Sequence, residues 1–149
     1  MKFQVLLLSL LVGSSLSAMA QKKPAAKAKT PAASAAIPAA TLAAGKALYA
    51  QNCLVCHQAD GGGVERMNAP LTKTSWVLGD KTRLVNVLLN GMQGVEIDGE
   101  VYTNVMPAFT QLSDQQLAEV LTYIRNSFGN KASAVSSAEV KAVRAANKK

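Results

Sequence analysis

One histidine, two cysteines and one tryptophan occur in the 149 residues, and these shortages exclude more than the abundant residues suggest. A structural zinc centre takes four nitrogen or sulfur ligands, whereas His57, Cys53 and Cys56 make only three. Aromatic residues reach 5%, and nowhere do they alternate with basic residues to form a stacking platform for a nucleic-acid strand. No apolar run approaches the roughly 20 residues needed to cross a bilayer core. The length leaves room for one ordinary domain, which argues against a multidomain enzyme.

The net charge of +7 invites a nucleic-acid or membrane-surface reading until it is divided along the chain. Residues 21–40 hold four lysines and no acid; residues 131–149 hold five Lys/Arg against Glu139. Residues 41–130 hold six Lys/Arg against eight Asp/Glu, so the centre is mildly acidic. Basicity belongs to two tails, and nucleic acid is not expected as a partner. The tails are suited at most to weak contact with an anionic membrane surface.

Residues 1–20 read as an export signal: Lys2, an apolar stretch from Val5 to Val12, then the small-residue site Ala18-Met19-Ala20. That address predicts a periplasmic protein with no transmembrane span. Residues 21–40, with nine Ala, four Lys and three Pro, read as an extended linker, because spaced prolines prevent a continuous helix and few side chains are large enough to bury.

The folded unit is expected over 41–130. Ser113 and Gln116 form a capping box, Leu112 staples onto Leu117, and a helix follows through Val120, Leu121 and Ile124 towards Phe128-Gly129. Asp80 caps a second helix bearing Leu84, Val85, Leu88 and Leu89 and stopped by Gly91. A third runs from Thr41 to Gln51, with Gly45 and Tyr49 on one face. Glycine inside a helix costs about 1 kcal/mol relative to alanine, so Gly45 predicts a close helix contact, naturally with the face bearing Leu121, Tyr123 and Ile124. Val95 to Tyr102 reads as a small hairpin turning at Asp98-Gly99. The basic tail, 131–149, contains a second capping box, Ser136 with Glu139, and either docks as a short helix or stays mobile.

Cys53-Leu54-Val55-Cys56-His57 carries the chemistry. Two thiols three positions apart can add to the two vinyl groups of one haem, with the adjacent histidine placed to ligate iron. A disulfide would leave His57 unexplained, and a thioredoxin-like pair needs a strand–helix alternation that this chain lacks. With no second histidine, the sixth iron ligand is a methionine or the position is open. Among Met67, Met92 and Met106, the last lies well downstream on irregular backbone beside Pro107, and the other two read as core filler.

These residues resemble the class I c-type cytochromes. The resemblance covers Thr41 to Gly129 and rests on Gly45 and Tyr49, the Cys53 to His57 motif, Ala69-Pro70-Leu71, Leu88-Leu89-Asn90-Gly91, Met106-Pro107-Ala108-Phe109 and the capped last helix. It implies an all-α fold of three to five short helices around one covalently attached haem c, with a hairpin or loop before the axial methionine. It implies that Pro70 lies against the haem and offers its carbonyl to His57, that first and last helices pack together, and that Trp76 or Tyr102 either reaches a propionate or simply packs. Ala69 departs from the glycine that many relatives carry.

The expected function is one-electron transfer with His57 and Met106 as iron ligands. The chain would serve as a periplasmic shuttle or as the cytochrome subunit of a dehydrogenase or terminal-oxidase chain, with redox proteins as partners. Two rivals remain: a haem enzyme or ligand sensor with a displaceable sixth ligand, and a thiol redox protein without haem.

Overall fold

The computed structural model describes residues 36–147, so the expected export signal and most of the linker lie outside the described residues. The elements are α1 (Ala39–Asn52), α2 (Leu54–His57), α3 (Ser75–Leu78), α4 (Lys81–Asn90), β1 (Glu96–Ile97), β2 (Glu100–Val101), α5 (Asp114–Arg125) and α6 (Ser137–Ala146). The fold is all-α apart from the small hairpin. None of the described helices is long and apolar enough to cross a membrane.

Local signals explain two of the three long helices of the central domain, α4 and α5. Ser113 Oγ accepts from the Gln116 N–H at 3.2 Å while Gln116 Oε1 accepts from the Ser113 N–H at 2.9 Å, closing the capping box of α5. Leu112 and Leu117 are both buried beside that cap. Asp80 accepts from the Arg83 N–H at 2.6 Å and starts α4, which buries Leu84, Val85, Leu88 and Leu89. Each such side chain contributes roughly 1.5–3 kcal/mol on burial. The hairpin turns at Asp98 and Gly99, whose φ angles of 50° and 91° are those of the tight turn expected there.

Packing of α1 on α5 joins the two ends of this domain. A Cβ on Gly45 would collide with the Glu119 carbonyl oxygen and lie 2.6 Å from Tyr123 Cβ. Tyr123 is thus the partner expected, but Leu121 and Ile124 are not; they face the other way, into a cleft. Residues 119 and 123 share a helix face at i, i+4, and 121 is turned well away from it. Gly45→Ala is expected to destabilise the haem-loaded protein by about 2 kcal/mol, since overpacking costs more than the helix propensity regained. Guanidinium unfolding measures this, and an unchanged midpoint would mean the helices part without cost.

Two single-turn helices, α2 and α3, have no periodicity to announce them. The α3 turn is tied to α5 by Arg125, whose buried guanidinium donates to the carbonyls of Val77 at 2.6 Å, Gly79 at 3.1 Å and Ser133 at 2.9 Å. Asn130 is buried as well and bonds the Lys73 N–H and the carbonyls of Leu71 and Ile124. Every buried polar group of these two side chains is therefore matched, as burial demands.

Of the two alternatives for the tail, the structure shows docking. The Ser136–Glu139 capping box opens α6, Val140 is fully buried, and the helix lies against α4 and α5.

Candidate functional site

The attachment turn is built where α1 ends. Cys53 is the C-cap of α1, its N–H bonded to the Tyr49 carbonyl at 2.9 Å, and it also precedes the single turn of α2 that carries Cys56 and His57. Gln58 then takes a φ of 62°, turning the chain away, and the Tyr49 hydroxyl donates to the Gln58 carbonyl at 2.6 Å to hold that turn. Behind it stand Tyr49, Tyr123 and Phe128, with ring centroids 5.2–5.7 Å apart. Tilted and edge-on rings at such distances attract beyond their simple burial. The helix contact at Gly45 and the attachment turn are thereby one continuous packing unit.

His57 is buried, and its Nδ1 lies 2.8 Å from the Ala69 carbonyl oxygen. A carbonyl only accepts, so Nδ1 carries the proton and Nε2 keeps its lone pair for a metal. Burial holds the His57 pKa below its ordinary value, against the opposing pull of the Ala69 bond, and favours the neutral, ligating form.

The carbonyl at His57 corrects one expectation: it belongs to Ala69 and not to Pro70. The chain is pinned on either side, by the Val64 N–H donating to the Asn68 carbonyl at 2.9 Å and the Leu71 N–H donating to the Gly61 carbonyl at 2.7 Å. In this register the Ala69 carbonyl, on the extended backbone that a residue before proline adopts, is the one turned onto His57. Pro70 itself lines the cleft.

Burial pushes the Cys53 thiol up to about 11, with Cys56 adding to the shift. Thiol–disulfide exchange calls for the opposite, a depressed thiol. Cys53 is in this respect unlike the thiol of a redox-cycling pair.

Met106 reaches the same cleft from the far side of the chain. Its N–H and carbonyl exchange bonds with those of Met92, both 2.9 Å, and the Phe109 N–H donates to the Leu88 carbonyl at 2.7 Å. These three bonds lay residues 106–109 along the C-terminal end of α4. Gly91 makes the approach feasible: its φ is 70°, and a Cβ there would sit 2.5 Å from the Met106 carbonyl oxygen and 3.1 Å from the Ala108 nitrogen. Any side chain would be strained by both backbone angle and contact. Sequence reasoning saw Gly91 as a helix stop but missed this seating, which no local pattern signals.

The cleft encloses about 1220 Å³ including its open mouth, and its lining is mainly apolar. Cys53, Cys56, His57, Pro70 and Met106 all line it, and Met67 and Met92 do so too. Trp76, under the Arg83 guanidinium at 4.4 Å, and Tyr102 are also on its wall. A large flat apolar group with two thiol attachment points and an iron between imidazole and thioether fits this donor set and these walls.

Comparison with known proteins agrees with the geometry. A family model described as cytochrome c matches residues 42–128. The cytochrome c subunit of the quinone alcohol dehydrogenase of Gluconacetobacter polyoxogenes is 40% identical over 90 residues, which are 59% of this chain and 19% of that one. Cytochrome c-552 of Thermus thermophilus is 39% identical over 93 residues, 59% of this chain and 70% of that one. A cbb3-type cytochrome c oxidase subunit of Azospirillum sp. (strain B510) is 35% identical over 97 residues, 60% of this chain and 29% of that one. The matched stretch spans about a fifth of the dehydrogenase subunit.

Proposed function

Because this chain belongs to the cytochrome c family, we propose that it carries one haem c joined to Cys53 and Cys56, with His57 and Met106 as axial ligands, and transfers single electrons. The observation that supports this most is the convergence on one apolar cleft of the attachment turn and a methionine on a segment far downstream, bridged to Met92. When bound, the haem supplies a one-electron iron couple.

The chain's own residues do the rest. Ala69 orients His57, the Met92 and Phe109 backbone bonds hold the Met106 segment, and the apolar lining keeps water from the metal position. A thioether opposite an imidazole raises the reduction potential and leaves no position for a substrate.

Residues 41–130 are the proposed haem domain. The relatives named above support a role as the cytochrome partner of a dehydrogenase or oxidase, or as a free shuttle. The signal-like residues 1–20 support work in the periplasm. An optical spectrum of the purified protein in both oxidation states, with a covalent-haem stain on a denaturing gel, tests the reading. Haem that stays with the denatured chain, together with the weak near-infrared iron–sulfur band, is the expected result. Covalent haem without that band would instead make the protein a ligand sensor or haem enzyme.

A further inference from the structure

The family match ends at residue 128, yet α6, which follows it, touches both ends of the segment that carries Met106. At the upstream end the side-chain amides of Asn90, the last residue of α4, and Asn147 exchange hydrogen bonds of 3.2 and 3.1 Å. Gly91, the seat of Met106, comes next in the chain. At the downstream end Arg144 donates through Nε to Asp114 at 2.6 Å, through Nη2 to the Leu112 carbonyl at 2.7 Å and through Nη1 to the Thr110 carbonyl at 3.4 Å. Thr110 directly follows Phe109, the last residue bonded to α4. The other end of α6 is fixed to the start of α4, where Lys81 meets Glu139 at 2.9 Å and the Ala134 carbonyl at 2.6 Å.

We infer that α6 is a clasp on the loop 91–109, with Arg144 as its positioning residue. Moving Met106 off the cleft means parting it from Met92 and letting the loop swing about its two ends. Those ends are the C-terminus of α4 and the approach to α5, and one helix, packed on both α4 and α5 with its Val140 buried, bridges them through Asn147 and Arg144. Arg144 is suited to the task because its planar fork binds a carboxylate and carbonyls together, through charge-assisted bonds on a half-buried surface. Local opening is governed by few contacts at a loop's ends, so one side chain at an end has leverage over the whole loop. The consequence at the iron rests on the reading of Met106 as ligand; the clasp itself rests on the contacts of α6.

The test uses the full haem-loaded chain with Arg144→Ala and Arg144→Lys. Amide exchange at Met92 and Met106, whose N–H groups bond across the loop, is expected to accelerate about tenfold in Arg144→Ala, while amides of Leu117 and Leu121 change less than about threefold. Cyanide binding should accelerate with the loop amides, and Arg144→Lys, which keeps the charge without the fork, should fall between. Equal acceleration of loop and α5 amides, or none in the loop, overturns the clasp. Loop amides that loosen while cyanide binding does not follow, in a protein whose cyanide rate Met106→Ala also leaves unchanged, would uphold the clasp and remove Met106 as ligand.

Discussion

Met106→Ala is expected to lower the reduction potential by on the order of 0.2 V, roughly a quarter of the span that axial ligands command. The same variant should lose the iron–sulfur band and bind cyanide when oxidised and carbon monoxide when reduced. The substitution is clean in principle, because Met106 is held to Met92 and residues 106–109 to α4 through backbone atoms that alanine retains. The loop should stay in place while the thioether disappears. Met92→Ala is the matched control: it removes a methionine from the same cleft and should leave the band intact. An unchanged potential in Met106→Ala, measured by redox titration, would falsify the ligand assignment.

Replacing Cys53 and Cys56 together by alanine should abolish covalent haem altogether, so that none migrates with the chain on a denaturing gel. The effect reaches the fold. Apolar side chains of α4, of the 67–77 segment and of α5 all line the cleft. Without the group that covers those surfaces, the walls are left facing water at about 25 cal/mol for each Å². A domain of this size has stability to lose of only about 5–15 kcal/mol. Far-ultraviolet circular dichroism should show lower helix content and a broad thermal transition in the double variant. A variant carrying normal covalent haem would contradict the attachment reading, and one that unfolds as cooperatively as the parent without haem would contradict the dependence of the fold on it.

Elements with local signals were legible in the sequence, and those made by long-range contact were not. Caps at Asp80 and Ser113, the apolar set of α4, and the Asp98-Gly99 turn each depend on neighbours within a few residues, and each stands where its pattern predicts. The glycine at position 45 announced a close contact but not its partner in detail, since helix rotation decides whether Glu119 or Leu121 faces it. Likewise, the Ala69-Pro70 pair marks the place where His57 finds an acceptor, while the choice between the two adjacent carbonyls depends on the register set by the Val64–Asn68 and Leu71–Gly61 backbone bonds, which no local pattern reports. Arg125 and Asn130 carry no local signal of burial in the sequence. Their burial comes from carbonyls of α3 and of the segment around Leu71, far away in sequence, which no periodicity reports.

The contact of α1 with α5 carries a consequence for the order of events in the chain's life. The two helices are separated in sequence by nearly everything else in the central domain, so α1 lacks its packing surface until residues as late as Tyr123 have arrived. Closing so long a loop is slow compared with forming a helix turn. Cys53 and Cys56 stay half-exposed on the wall of the cleft even after the contact is made. The attachment turn lies early in the chain and its last packing partner late, so maturation of this protein is expected to start on a chain whose first helix has not yet met its last, with both thiols accessible before and after they meet.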